Sequence, residues 1–551
     1  MDYEDDDLGR IQRIHKSTLN GGKTLVELAY YDGASMWWNV HPMFLNVMST
    51  DSYFPMRRAR LLVRLFRIVG PYLLIVYDLC MKILMRLKNV PRPIRERSNG
   101  RERTIAFLTQ NMEWERVLDS ASGTYRKGDR FFQSLIEECQ SRGYGILSFY
   151  PSLVQPGRGA RILKEKLTDW EVAHVPLEMY ADLSVWKKYL SASRHFREIW
   201  KSVRSDKTLM NISISDGITE HKKLMAHLEF YFTFLFPYLV RESGLCVNFI
   251  QREHPSVLVL TNEYGWIERS YLVSANREGV RTIGIQHGII HPRHSGYIHD
   301  EENMQRQTSN PLHCPIPDIT AVSGSYDYDL LTKLAFYPTD TVAITGQPRY
   351  DILFYASKLY SRRRFFERNG IDQNHKVVLW ATQAHGLSFE ENQKNYECVF
   401  NTIRGMKNVT LVVKQHPGEP ESYTEEIRKK IDYFNVSNVV MVSKGSDMYE
   451  LTYVCDILLT KTSTTAIEAI ALDKPVIVLD LGSAQESADY VKDGVALEVR
   501  NAADLKSAIN SILDGNYNIS NIRNDYIARR LFRIDGESSK RTANLIEAMI
   551  P

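Results

Sequence analysis

The sequence predicts an α/β protein of two doubly wound domains facing a cleft, preceded by a basic helical extension. Three observations carry that expectation. A chain of 551 residues exceeds what one hydrophobic core usually serves. Short β-branched runs alternate with amphipathic stretches, as in parallel sheets buried on both faces. The alternation occurs twice, before and after about residue 350.

Taken in order, residues 1–102 read as the extension, 103–350 as the first domain, 351–530 as the second, and 531–551 as a helix packing back. The acidic start MDYEDDDLGR is unlike a secretory leader. Trp37-Trp38 suits either packing or an acceptor surface. Net charge is +3, yet Arg57 to Arg103 holds thirteen Lys/Arg against three acids, a local +10, which leaves about −7 elsewhere. This stretch encloses Ile68 to Tyr77, ten residues without charge, interrupted by Asp78 and Lys82. A spanning helix needs about 20 apolar residues, so two readings stay open: a helix lying on an anionic membrane surface and a core helix with solvated arginines. Asn89 to Arg103 reads as a linker.

The first domain begins at strand 104–108, followed by a helix over 129–142 and a strand at 146–150. A helical region including 221–250, with an aromatic core face, leads to strands at 256–260, 282–286, 318–322 and 341–345. Helices near 266–278 and 326–336 separate them. A basic helix over 352–369 opens the second set, with strands at 376–380, 409–414, 439–442, 456–460 and 475–479 and helices between them.

Six scattered cysteines with no CxxC argue against a disulfide framework and for a reducing cytosol. No GxGxxG follows the first strand and no GxxxxGK[ST] is present, which excludes ordinary dinucleotide dehydrogenases and P-loop kinases. No DxD follows a strand, so donor binding is expected to use amides and basic groups without a metal or cofactor. Nothing suggests a nucleic-acid partner.

Ligands in such folds bind beyond the carboxyl ends of the strands. Lys414 and His416, in KQHP, suit phosphate oxygens, or a plain loop. Ser463 and Thr464, ahead of a helix carrying Glu468, form an anion site or an ordinary cap. Glu468 suits a ribose hydroxyl or the basic loop. Gln286-His287-Gly288 ends a strand, and His287 has the place and type of a general base. His291 and His294 follow it, but no thiolate or carboxylate completes a zinc set. Glu263, after another strand, competes as the base or caps the next helix. In TGQPRYD, Arg349 either faces an acceptor in the cleft or pairs with Asp351 across a hinge at 346–351.

The succession QHG, TGQPRYDIL, KQHP, TKTSTTAIEAIALDKPVIVLDL and FRIDGESSKRTANLI, over roughly 255–548, resembles the CDP-glycerol glycerophosphotransferase and capsule polysaccharide transferase superfamily. The resemblance implies a GT-B fold of two Rossmann-like halves, with His287 as base. It also implies His416 on donor phosphate, Ser463 and Thr464 as the hydroxyl pair, and Glu468 as the acid beyond them. Lys461 stands where that family commonly has aspartate, and Ile289-Ile290-His291 replaces the lysine after HG. A CDP-glycerol donor and a nucleotide sugar therefore both stay open.

The expected function is transfer of a glycosyl or polyol-phosphate unit from a nucleotide-activated donor to a cell-surface polysaccharide or lipid-linked glycan. The enzyme would be cytoplasmic and peripheral on the inner membrane face. Two rivals remain: an epimerase or hydrolase like the UDP-N-acetylglucosamine 2-epimerases, and a non-catalytic glycan- or partner-binding subunit.

Overall fold

Strand Thr104–Leu108 shows how the first sheet is built. Ile105 and Phe107 point into one apolar cluster, while Ala106 and Leu108 point into another. A strand alternates its faces, so a run with no polar face needs cover on both sides. The computed structural model describes residues 14–19, 21–49, 60–87, 103–109, 114–118, 124–150, 173–215, 218–304, 312–383, 387–481 and 489–550.

The first sheet has seven parallel strands in the order Val342–Ile344, Ile319–Val322, Arg281–Ile285, Val257–Thr261, Thr104–Leu108, Gly145–Tyr150 and Ala173–Pro176. The second has six, ordered Val439–Met441, Val409–Lys414, Lys376–Ala381, Ile457–Thr460, Val476–Leu479 and Leu497–Val499. Its faces divide likewise: Val377 and Leu379 join one cluster, Val378 and Trp380 the other. The α/β class and the doubly wound GT-B architecture hold.

Several elements differ from the expectation. A hairpin, Trp114–Leu118 with Tyr125–Asp129, precedes a shorter helix Gln133–Ser141. Asp129 explains that later start, because its Oδ1 accepts the N–H groups of Phe131 and Phe132 at 2.8 Å each. The short edge strands Ala173–Pro176 and Leu497–Val499 are additional. The basic helix over 352–369 is three pieces, Asp351–Phe354, Ala356–Leu359 and Arg362–Asn369. The aromatic helical region runs Ile218–Phe230, a π turn at Tyr231–Leu235, then Phe236–Glu253, with Tyr231, Phe232 and Phe236 buried.

Trp37 and Trp38 are core residues. Their indole N–H groups donate to His15 Nδ1 and Leu312 O, each at 2.7 Å. Helix Arg60–Leu87 docks through Asp78, which is fully buried and accepts Arg241 Nε at 3.0 Å and Trp186 Nε1 at 3.1 Å. Its opposite side exposes Tyr72, Leu73, Val76, Leu79 and Ile83. Among the described residues no helix is long and apolar enough to cross a membrane. Residues 51–59 and the linker stretch 88–102 lie outside the described residues.

After the second sheet the chain returns to the first. Helix Ser520–Arg530 approaches so closely that a Cβ on Gly324 would lie 2.2 Å from Arg529 O. The Arg530 guanidinium lies 3.4 Å over the Tyr326 ring and reaches Asp493 at 3.0 Å. Helix Ser538–Met549 then covers the first sheet, with Ala543 and Ile546 joining Ile105 and Phe107.

Candidate functional site

Between the two sheets lies a cavity that opens to solvent, its space together with the adjoining solvent coming to about 450 Å³. Gln286, His287, Gly288 and Arg349 line it from the first lobe, Thr464 and Ile467 from the second.

The QHG turn is built by Gln286. Its N–H donates to Ala321 O at 3.0 Å, its Oε1 accepts the Ser323 N–H at 2.7 Å, and its Nε2 donates to Gly288 O at 2.7 Å. Gln286 is therefore a buried staple that orients His287, while a Cβ on Gly288 would meet open space. The His287 ring packs 4.6 Å from the Phe131 ring. Burial first, then the charges of Arg349 and Arg130, hold its pKa down at about 3. The imidazole is thus neutral and has a lone pair to offer.

Arg349 does not pair with Asp351. The Asp351 carboxylate instead accepts the N–H groups of Ser538 and Ser539, at 2.9 and 2.8 Å. Arg349 Cζ lies 4.8 Å over Phe131 and 4.7 Å over Tyr350, and its Nη2 donates to Tyr350 OH at 2.8 Å. Tyr449 of the second lobe donates to Arg349 O at 3.3 Å. A second bridge between lobes runs from Tyr125 OH to Asp447 Oδ2 at 2.9 Å.

In the second lobe, the Thr464 wall belongs to a loop pinned by Gln383, whose Oε1 accepts the N–H of Thr462 at 2.6 Å. Ser463 Oγ accepts the Thr465 N–H at 3.2 Å and bonds Thr465 Oγ1 at 2.9 Å. The helix that follows, Thr465–Ala471, has seven residues, so the hydroxyls matter more here than a macrodipole. Glu468 is buried, and its Oε2 has no hydrogen-bond partner among the described residues. Burial pushes its pKa up to about 7 against the opposing charges of Arg349 and Arg130.

His416 and Lys414 do not line this cavity. Their strand is separated from Ile457–Thr460 by Lys376–Ala381, a span of about 10 Å. His416 is exposed, and its Nδ1 accepts the Gly418 N–H at 3.1 Å, which places the neutral ring's proton on Nε2. Lys414 is buried, and its Nζ donates to Gln415 O at 2.9 Å and Lys444 O at 2.7 Å. It holds two loops together instead of facing a ligand.

Glu263 also falls away from the cleft. It is buried under the sheet, where Thr320 Oγ1 donates at 2.9 Å and Tyr337 OH at 3.0 Å. His291 is exposed, and its Nδ1 accepts the Arg293 N–H at 3.2 Å. His294 Nδ1 is engaged by the Gly296 N–H at 3.2 Å. Among the described residues no group of three or more such side chains is arranged to hold a metal ion.

Four contributors escaped the sequence reading: Arg130 and Phe131, in the turn that Asp129 caps, and Asp327 and Arg530, which line the same cavity. The D-x-F-F signal before Gln133 could have shown the turn; only tertiary contacts show the other two.

The sequence model of the CDP-glycerol:poly(glycerophosphate) glycerophosphotransferase family matches residues 223–548. No curated protein matches the chain. Among solved structures it is similar to the UDP-GlcNAc 2-epimerase of Neisseria meningitidis bound to UDP-GlcNAc, at 11% identity, covering 81% of this chain and 100% of that one, with a TM-score of 0.51. It also matches the UDP-GlcNAc 2-epimerase of Methanocaldococcus jannaschii, at 13% identity over 81% of this chain and 100% of that chain, TM-score 0.47. A glycosyltransferase from Rickettsia africae gives 11%, 81% of this chain, 98% of that chain, and 0.46. The first of these supports the fold alone.

Proposed function

The chain belongs to the CDP-glycerol:poly(glycerophosphate) glycerophosphotransferase family, and on that premise we propose that it moves a polyol-phosphate or glycosyl unit from a nucleotide-activated donor onto a cell-surface polysaccharide or lipid-linked glycan. It is a transferase. The observation that carries the finer reading is the cavity that sets His287 and Gly288 of one lobe against Thr464 of the other.

In this reading His287, neutral and exposing its ring to the cavity, takes the proton from an acceptor hydroxyl. The acceptor oxygen forms its bond to the phosphorus of the polyol phosphate or to the anomeric carbon of a sugar. The bond to the nucleotide breaks, and the nucleotide leaves with the electron pair. The Thr464 hydroxyl and the Nε2–H of His416 are the donors for its phosphate oxygens, while Ser463, donating to Thr465 Oγ1, shapes the turn that presents Thr464. Glu468 accepts from a hydroxyl of the donor. Lys414 and Glu263 take no direct part.

Peripheral membrane docking fits the same function. Helix Arg60–Leu87 exposes a stripe of Tyr72, Val76, Leu79 and Ile83 on the side away from buried Asp78. It lies within the stretch of local charge +10. Each basic group near an anionic surface contributes about 1 kcal/mol, screened by salt.

The test is nucleotide release from CDP-glycerol and from UDP-sugars, with and without glycan-bearing membranes. Release from one donor class that requires the membranes and labels them is the expected result. Equal release without any acceptor would point to a hydrolase or epimerase. No binding and no turnover of any donor would favour a non-catalytic subunit.

A further inference from the structure

We infer that Gln347 and Asp327 form a hydroxyl-recognition subsite on the first-lobe wall of the cavity, accepting hydrogen bonds from two hydroxyls of a neutral polyol or sugar unit held beside His287. The inference rests on reading the cleft as the place of transfer, and it deepens that reading by naming residues that select the reacting unit.

Both residues line the cavity, as His287 does, and both are anchored on Gln286. Gln347 Nε2 donates to Gln286 O, the carbonyl of the peptide that joins Gln286 to His287. The Gln286 side chain hydrogen-bonds the Asp327 carboxyl. Its Oε1 also takes the Ser323 N–H at 2.7 Å, just ahead of the short helix Ser325–Asp329 that carries Asp327. One buried side chain therefore ties His287, Gln347 and Asp327 into a single wall.

That wall offers acceptors. A backbone carbonyl can only accept, so the bond to Gln286 O settles which end of the Gln347 amide is the NH2. The other end, Oε1, is buried and has no hydrogen-bond partner among the described residues. An acceptor buried without a donor is costly. Asp327 is buried too, at 3% exposure, and among the described residues no cation lies within ion-pair distance of it. Arg530, in the same cavity, is engaged by Asp493 at 3.0 Å and by the Tyr326 ring at 3.4 Å. Burial, offset in part by Arg530 and then by the Gln286 hydrogen bond, raises the Asp327 pKa to about 7.

An amide oxygen and a carboxyl, with the Asp489 carboxylate lining the same cavity, disfavour an anion at this end. They match a unit that carries several hydroxyls and no negative charge there. A site built to take hydroxyl protons also rejects analogues that lack them, because its own buried oxygens are then left unpaired.

The hydroxyls have two sources: the reacting end of the acceptor, or the unit carried by the donor. Gln347→Met and Asp327→Asn in the full chain separate them. Calorimetry uses CDP, CDP-glycerol, UDP and UDP-N-acetylglucosamine, beside steady-state rates on glycan-bearing membranes. Acceptor hydroxyls predict an acceptor KM raised about tenfold in both variants, with all four affinities unchanged. Donor hydroxyls predict that CDP-glycerol or UDP-N-acetylglucosamine weakens about tenfold while CDP and UDP hold. A purely structural role would instead lower kcat and the unfolding midpoint together and leave these constants alone. Tighter binding in Asp327→Asn would reveal an anion at this end, and unchanged constants in both variants would reveal no recognition. Either result overturns the subsite and leaves the transferase reading standing. A wild-type chain that binds none of the four nucleotides and releases nucleotide from neither donor overturns both.

Discussion

The carboxylate of Asp351 caps the helix that begins at Ser538, accepting the Ser538 N–H at 2.9 Å on one oxygen, while its other oxygen takes the Ser539 N–H at 2.8 Å. The turn between the two sheets is thereby fastened to a helix 187 residues further along the chain. Asp351→Ala should lower stability by about 1–2 kcal/mol, and Asp351→Asn by less. Thermal unfolding of the three proteins checks the ranking; equal midpoints would show that the cap contributes nothing.

Asp78 and Arg241 are both buried and hydrogen-bonded to each other. Arg241 is also paired with buried Glu242, so removing Asp78 strips the guanidinium of one of its two carboxylate partners. Asp78→Ala should cost about 3–5 kcal/mol in urea unfolding. The triple change Asp78→Leu/Arg241→Met/Glu242→Gln, which leaves no buried charge behind, should recover much of that loss. If the triple variant is no better than the single one, the ionic cluster itself is what holds helix Arg60–Leu87.

Glu263 gives a pH signature. Burial raises its pKa from the ordinary 4.5 to about 7. Between those values the folded protein keeps a proton that the unfolded chain has lost, so this group's stabilisation is full below pH 4.5 and declines as pH rises toward 7. Glu263→Gln escapes that decline. Its unfolding midpoint relative to wild type should climb between pH 5 and 8, by an amount equivalent to roughly 2–3 kcal/mol, and its transfer activity should persist. Lost turnover with a flat pH difference would return Glu263 to the chemistry.

His287→Ala should reduce turnover by roughly 10²–10⁴-fold with donor affinity near wild type. Steady-state rates beside calorimetry separate the two quantities. Undiminished turnover would assign the base elsewhere, with Asp327 in the same cavity the first alternative.

His416→Ala and the Ser463→Ala/Thr464→Ala pair should each weaken nucleotide binding about ten- to a hundredfold. Lys414→Met should instead act on stability, because Lys414 Nζ is spent on two backbone carbonyls. A Lys414→Met protein that unfolds normally but loses nucleotide would contradict its role as a strut.

The strands of both sheets were legible because burial on both faces leaves a continuous apolar run such as Val257–Thr261. The hairpin Trp114–Leu118/Tyr125–Asp129 was not, since Arg116, Arg126 and Lys127 dilute its pattern. Strands of three or four residues at sheet edges carry too few positions to show a period. In the site, strand ends were found correctly for His287 and Thr464, because chain position alone sets them at the rim. Whether a side chain there turns to the cleft is a tertiary matter. Glu263 follows a strand as His287 does and Lys414 ends one, yet Glu263 is drawn under the sheet by Thr320 and Tyr337 and Lys414 across to Lys444 O. Arg349 beside Asp351 looked like a local pair until Ser538 and Ser539 claimed the carboxylate.

The return of helix Ser538–Met549 to the first sheet orders events during synthesis. Helix Gln133–Ser141 covers part of the face carrying Ile105, Phe107 and Val257 early, but the rest of the cover comes from Ala543, Ile546 and Ile550, which leave the ribosome only after the whole second sheet has been made. A nascent chain therefore carries a half-covered, sticky face on its earlier part until elongation is nearly finished, and chaperones have a defined surface to hold meanwhile.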